Sequence, residues 1–448
     1  MADEVEQENF TESSELLSTS NESKVQSFEF DLSAPREGLS MVTATFFVIG
    51  NILGAGLVAI PYGAKLAGWL SIPFFVFIPI ITCCCGVLLA KSVSMTVAND
   101  RRDVSREPYP QLAKEAVGNK TRKFVVVTLY CGQIMSCLVF LLLAGEILSK
   151  LIPFHFGGIS SHNELRVWIS ITVGFIIPFN LLGSPKDFWG IALVATVTSV
   201  VTAIFICACL GMVHYNNVLQ AHIPPLDIEN VFASFGIIVF AFSGVGIFPT
   251  VQGDMKEPDK FPKVVVIGFT TLSVVYISVA LTAFFVLGNF IGEDLLTTLS
   301  SLSIYHKIVS YKAFVTISQV LILGHVLSAF VLQMNPVYQL VEVFFKTPNE
   351  FCWQRCVIRI SLIIVMWVLA IVIPNFGPAL SLVGGTFNGL LSIVFPLWFY
   401  VSLQREYHPL MKVGYALIFL VALVSILGNA FVELKNLVKV MEGKYKNV

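Results

Sequence analysis

Charge is what this chain is short of. Only 13 % of its 448 residues are Asp, Glu, Lys or Arg, against about a quarter in an ordinary soluble domain. Hydrophobic residues make up 56 % and the mean hydropathy is +0.80. Apolar runs near the roughly 20-residue spanning length recur along it, the mark of an all-α polytopic membrane protein. No basic tract is long enough to engage nucleic acid, and a net charge of −1 says nothing about partners. The start of the chain lacks a basic stretch followed by an apolar core, so no cleaved signal peptide is expected. Of the nine cysteines, Cys83, Cys84, Cys85, Cys131, Cys137, Cys207 and Cys209 fall inside apolar runs. Only Cys352 and Cys356 flank a loop, expected to be cytosolic, with no further Cys or His close by in sequence. Neither a disulfide nor a metal site is expected. A phosphate-cradling loop is missing too. His155 and His162 share an outer loop, but no acid or histidine cluster accompanies them inside the apolar runs. Nothing here supports an enzyme or a cofactor.

What is present begins with a polar tail, 1–38, rich in Glu and Ser and expected to be disordered. Within it, Glu12, Leu16 and Leu17 match an acidic dileucine sorting signal (an acid, three residues, then Leu-Leu), the kind read by clathrin adaptors. Such a signal favours a vesicle or endolysosomal membrane over the plasma membrane. Eleven spans follow within 39–431: 39–64, 70–90, 124–148, 167–182, 189–213, 232–251, 264–287, 313–345, 358–373, 380–403 and 413–431. A short tail, 432–448, closes the chain. Lys and Arg crowd one set of loops: Arg101, Arg102, Arg106, Lys114, Lys120, Arg122 and Lys123 lie in the first large one. By the positive-inside bias this places the N-terminus in the cytosol, and an odd span count places the C-terminus outside.

Two spans contain poor helix material. The first reads Gly50-Asn51-Ile52-Leu53-Gly54-Ala55-Gly56, then Pro61. The sixth carries Ser243-Gly244-Val245-Gly246, then Pro249. Glycine and proline in mid-span free backbone groups that survive in a membrane only where protein or a cavity takes them over. The alternative is glycine used for close helix packing. Breaks at spans one and six suit two inverted five-helix repeats with a midplane site between half-helices. Half-helix N-termini attract a carboxylate and unwound carbonyls hold an ammonium, so a zwitterionic amino acid is a natural ligand. The residues expected to line the site are Gly50, Asn51, Gly54, Ala55, Gly56, Ser243, Gly244 and Gly246.

The same stretches carry a family resemblance. Asn51 to Tyr62, then Ala67-Gly68-Trp69, resembles the first-helix signature of the amino acid/auxin permeases. Tyr109-Pro110-Gln111-Leu112-Ala113 with Gly118 is similar to that family's first cytosolic loop, and 236–262 to its sixth-helix region. The similarity is strongest to the vesicular inhibitory amino acid transporter branch. It implies an eleven-helix, proton-linked amino acid carrier but does not fix the substrate. With the two breaks, the expectation is a LeuT-like core carrying a small neutral amino acid or a relative such as GABA or glycine.

For coupling, ionisable groups deep in a membrane are costly and usually functional. His325 in the eighth span has an unperturbed pKa suited to an acidic compartment, although a neutral histidine bonded to a neighbouring helix is the other reading. Glu146, near the outer end of the third span, is a second candidate, with hydration its other explanation. Gln133 and Ser328 are secondary lining candidates. A sodium site of carbonyls and hydroxyls would leave no sequence trace, so both ions stay open. A rival function is an amino acid sensor signalling through the tail. The orientation itself is testable. The sequons at Asn9, Asn21 and Asn119 all fall on the expected cytosolic side. An N-glycosidase should therefore leave gel mobility unchanged, and a shift lost on mutating any of the three would reverse the topology.

Overall fold

The computed structural model describes residues 38–97, 108–152, 161–181, 188–348, 352–373, 375–404 and 409–441. The dileucine residues Glu12, Leu16 and Leu17 and the sequons at Asn9 and Asn21 lie outside them. The principal helices are α1 (Met41–Ile52), α2 (Ala55–Ala67), α3 (Ser71–Val97), α4 (Pro108–Ala116), α5 (Asn119–Leu151), α6 (Ser161–Leu181), α7 (Phe188–Tyr215) and α8 (Ile228–Ala241). They continue as α9 (Phe248–Gly253), α10 (Phe261–Leu287), α11 (Leu295–Ser301), α12 (Val309–Phe344), α13 (Trp353–Val372), α14 (Phe376–Leu382), α15 (Phe395–Leu403) and α16 (Pro409–Met441). Between α14 and α15 the helix widens to π geometry over Val383–Asn388 and Leu390–Val394.

Ten stretches among the described residues are long and apolar enough to cross a membrane. One of them, Ala55–Thr96, runs α2 and α3 together across the 3₁₀ turn Gly68–Leu70. Divided at that turn, with α1 joined to α2, the stretches correspond to the eleven expected crossings.

The packing obeys the exchange of spans one to five with spans six to ten. Four contacting pairs map onto themselves under it: α2 with α8, α5 with α12, α3 with α10, and α6 with α13. Others come as matched pairs. The contact of α1 with α7 answers that of α8 with the first π segment, and α5 with α6 answers α12 with α13. This is the arrangement that two inverted repeats require.

Several boundaries move. The expected seven-residue break at Gly50–Gly56 narrows to Leu53 and Gly54, because Gly50 and Asn51 remain helical in α1 and Ala55 and Gly56 already belong to α2. Glycine weakens a helix by only about 1 kcal/mol, which a buried helix absorbs. The second break, expected at 243–246, spans Phe242–Gly244 and the 3₁₀ turn Val245–Ile247. The last helix does not stop at Phe431. It continues to Met441, because Asn429 and Glu433 are buried against the fold, and Asn429 Nδ2 donates to Phe232 O at 3.0 Å and to Ser381 Oγ at 2.9 Å.

The face bearing the chain start is fastened by an isolated bridge. Leu39 N donates to Asp254 O at 2.7 Å and Lys256 N donates to Leu39 O at 3.0 Å. This ties the entry of α1 to the exit of α9. A buried ion-pair cluster also holds α6, α12 and α13 together. Arg359, 3 % exposed, donates Nε to Glu342 Oε1 at 2.8 Å and Nη1 to Asn180 O at 2.8 Å. Arg355 adds a 3.0 Å contact to Glu342 Oε2.

The opposite face is closed by the segment between α10 and α12. Lys65, in the last turn of α2, donates Nζ to Ile291 O at 2.9 Å. Glu293 Oε2 accepts from Gly377 N at 2.7 Å, in the first turn of α14. A Cβ on Gly377 would lie 2.9 Å from Tyr62 Cε1 and 3.0 Å from Glu293 Cδ, so the closure needs glycine there. Asp294 caps α11, accepting from Leu296 N and Thr297 N at 3.1 and 3.0 Å. Every residue of α2 beneath this cover is buried.

Two predictions follow from these contacts. Replacing Glu342 with Ala leaves the Arg359 guanidinium buried without its carboxylate, which should cost about 3–5 kcal/mol. Thermal unfolding in detergent would read it, and an unchanged midpoint would refute it. The second concerns pH. Burial pushes the Glu293 carboxyl above the ordinary carboxylate value, against the opposing pull of the Gly377 N–H and Lys65. Burial raises Asp294 likewise, against its hydrogen bonds from Thr297 and Leu296. A carboxyl with a raised pKa in the closed arrangement holds its proton more tightly there than when exposed. Closure should therefore strengthen as pH falls through that raised value and weaken as pH rises. Amide exchange across 291–301, corrected for intrinsic rates, should slow as pH is lowered from neutral toward the ordinary carboxylate range. Glu293→Gln should shrink that difference.

Candidate functional site

The two breaks meet. A Cβ on Gly244 would lie 2.6 Å from Ile52 Cγ1 and 3.2 Å from Asn51 Nδ2. Gly244 also has φ +134, a conformation that other residues rarely adopt. One turn away, a Cβ on Gly56 would lie 2.7 Å from Ala241 Cα and 3.1 Å from the Tyr276 hydroxyl. Spans one and six thus approach closely, Gly56 against the Ala241 backbone and Gly244 against the Ile52 and Asn51 side chains, and both contact points need a glycine.

Freed carbonyls at the first break are taken by neighbouring helices. Tyr276 on α10 donates its hydroxyl to Ile52 O at 2.8 Å. Ser199 on α7 donates Oγ to Leu53 O at 2.9 Å. An orphaned polar group of this kind would cost several kcal/mol in hydrocarbon, so these two donors decide where α1 can stop. On the far side of the break α2 begins at Gly54 with no side-chain cap. Its first N–H groups, at the positive end of the helix dipole, suit a carboxylate. At the second break Ser243 Oγ donates to Phe240 O at 2.7 Å and accepts from Asn388 Nδ2 at 3.0 Å. That brings the first π segment into the site, and π turns gather at functional positions.

The site residues expected from the sequence are distributed as follows. Asn51 is exposed, and Ser243, Gly244 and Gly246 are half-buried, whereas Gly50, Gly54, Ala55 and Gly56 are buried. His325, 9 % exposed, lies against the first break. A Cβ on Gly54 would sit 2.5 Å from its Nε2, and its Nδ1 is 3.4 Å from Ser199 Oγ. Gln133 is half-buried on α5, one turn beyond Leu129, which packs on Gly246. Its Oε1 is buried with no hydrogen-bond partner among the described residues.

Glu146 lies near the outer end of the third span, as expected, with Glu293, Asp294 and Lys150 as its electrostatic neighbours at the closed face, away from His325. One expectation needs correction. Ser328 is exposed and donates to Gly324 O of its own helix at 2.9 Å. It shares the exposed stripe of Ile317, Val320 and Gly324 on α12, turned away from the buried stripe that includes His325. The sequence reading also missed Ser199, Tyr276 and Asn388. Each is a hydrogen-bonding side chain inside an apolar span, which is a signal, but nothing in one dimension shows which break it serves.

Comparison with known proteins agrees with this geometry. The family model described as "Transmembrane amino acid transporter protein" matches residues 37–432. Amino acid transporter AVT1D of Arabidopsis thaliana is 24 % identical over 397 residues, covering 87 % of this chain and 68 % of that protein. Amino acid transporter AVT1E of the same plant is 26 % identical, covering 88 % and 73 %, and AVT3C is 26 % identical, covering 79 % and 81 %. Among solved structures, MhsT in complex with L-phenylalanine superposes with a TM-score of 0.57 at 15 % identity, covering 89 % of this chain and all of that one. At that identity the likeness speaks for the fold, which is LeuT-like. The chain belongs to the transmembrane amino acid transporter family, the amino acid/auxin permeases, and is a multi-pass membrane protein of amino acid transport.

Proposed function

We propose that this protein is a proton-coupled secondary carrier of small neutral amino acids, or of GABA- or glycine-like zwitterions, working by alternating access around the two breaks. The carrying observation is the direct approach of the breaks, Gly56 on Ala241 and Gly244 on Asn51 and Ile52. The uncapped start of α2 offers N–H groups to the substrate carboxylate, and the C-terminal end of α8 directs carbonyl dipoles toward its ammonium. No charged side chain occurs in 50–56 or 241–247, which favours a substrate without a charged side chain.

Access in this conformation is from the face bearing Leu39, since α2 is wholly buried while Asn51 is exposed and Gly244 half-buried. The Ile52 and Leu53 carbonyls already accept from Tyr276 and Ser199, and an imidazole lies against Gly54. That favours a proton over sodium as the coupling ion. The acidic dileucine residues Glu12, Leu16 and Leu17 add delivery to an endolysosomal or vesicle membrane through clathrin adaptors to the proposal.

The test is uptake into proteoliposomes across the neutral amino acids, GABA and glycine, with imposed proton or sodium gradients. Accumulation should follow the proton gradient, and a sodium gradient alone should drive none. Gly54→Leu should lower uptake by on the order of 10²-fold in a protein that still inserts, since its side chain would displace the His325 imidazole. Substrate binding with no flux under any gradient would point to a sensor instead.

A further inference from the structure

His325 faces the first break with its two nitrogens in different surroundings. Nδ1 is 3.4 Å from Ser199 Oγ, and the Ala195 backbone, one turn earlier on α7, is a further hydrogen-bonding neighbour of the ring. Nε2 points at Gly54, 2.5 Å from where a Cβ would stand. A serine hydroxyl has one proton. Ser199 gives it to Leu53 O at 2.9 Å, so toward the imidazole its oxygen can only accept. Ser199 therefore demands a proton on Nδ1.

We propose that Ser199 sets the tautomer of His325, holding a proton on Nδ1 and leaving Nε2, against Gly54, as the nitrogen that takes up the coupling proton. The hydrogen bond at one ring nitrogen decides which form the other takes. Ser199 acts here as a positioning residue, linking the imidazole to the carbonyl at which α1 ends. Protonation of Nε2 then places a new donor and a positive charge on the backbone at the start of α2, where the N–H groups already favour an anion. A substrate carboxylate at that helix start would be the natural partner of the new charge. The role given to Nε2 rests on the proton-coupled reading above, whereas the tautomer does not.

No acid or base among the described residues enters the electrostatics of His325. On the helices packed against α12, several ionisable groups have partners of their own. On α5, Cys137 donates to Phe330 O and Glu146 neighbours Glu293 and Asp294. On α7, Cys209 donates to Tyr311 O. Asp294 caps α11, and Arg359 of α13 pairs with Glu342 at the far end of α12. Across the break, Tyr276 is bonded to Ile52 O. The tautomer is thus left to Ser199 and the Ala195 backbone.

The experiment is ¹⁵N-histidine NMR of the full chain in lipid nanodiscs, at a pH where the imidazole is neutral, with the His325 signals assigned by their loss in His325→Gln. The wild type should show Nδ1–H. Ser199→Thr, which keeps the hydroxyl, should preserve it, and Ser199→Ala should yield a mixture of tautomers. A wild-type Nε2–H form, or a Ser199→Ala spectrum identical to the wild type, overturns the proposal. Uptake provides the second readout. Ser199→Ala should displace the pH profile of maximal uptake, and Ser199→Thr should restore it. An undisplaced profile in Ser199→Ala overturns the link to transport. Should His325→Gln retain full pH-driven uptake, the coupling reading falls while the tautomer result stands by itself.

Discussion

The structure depends on one constraint: inside a membrane, every backbone N–H and C=O set free by a broken helix must find a partner. At the first break the partners are named side chains. Tyr276 takes the Ile52 carbonyl and Ser199 the Leu53 carbonyl, so α10 and α7 are bound to the point where α1 ends. At the second break Ser243 closes on Phe240 and is itself held by Asn388. The N–H groups at the start of α2 lack a side-chain cap, and a helix start of that kind favours an anion, the basis of the carboxylate site proposed above.

Glycine acts here through what it leaves out. At Gly56 its lack of a Cβ lets the helix meet the Ala241 backbone, at Gly244 it admits the Ile52 and Asn51 side chains, and at Gly54 it makes room for an imidazole. At Gly377 it lets the Glu293 carboxylate reach a backbone N–H. The first three contacts build the site and the fourth closes it from one face. On the other face the Leu39 bridge to Asp254 and Lys256 joins the entry of α1 to the exit of α9. The two half-helices on that side are therefore fastened to each other. Closure on one face with exposure of Asn51 on the other is the asymmetry on which the proposed alternating access rests.

Much of this was legible in the sequence. A charge deficit and long apolar runs establish a spanning protein, because the hydrocarbon core tolerates little else. Two breaks five spans apart, each followed by a proline, indicate an inverted repeat and a midplane site, since helix-breaking residues in lipid need a reason. His325 stands out as a lone imidazole in an apolar span. All of these are local signals, carried by composition and spacing.

Other features belong to the tertiary structure alone. Gly50 and Asn51 look as breakable as Gly54 in one dimension, yet the helix ends where Tyr276 and Ser199, more than a hundred residues downstream, can receive its carbonyls. Glu146 and His325 are both candidates for coupling in one dimension, and packing puts one at the closed face and the other at the first break. Sequence by itself determined that this chain spans a membrane and that its helices must break twice. Only the fold decided which residues meet at the breaks, because hydrogen-bond partners in lipid are supplied by neighbouring helices, and neighbourhood is a property of three dimensions.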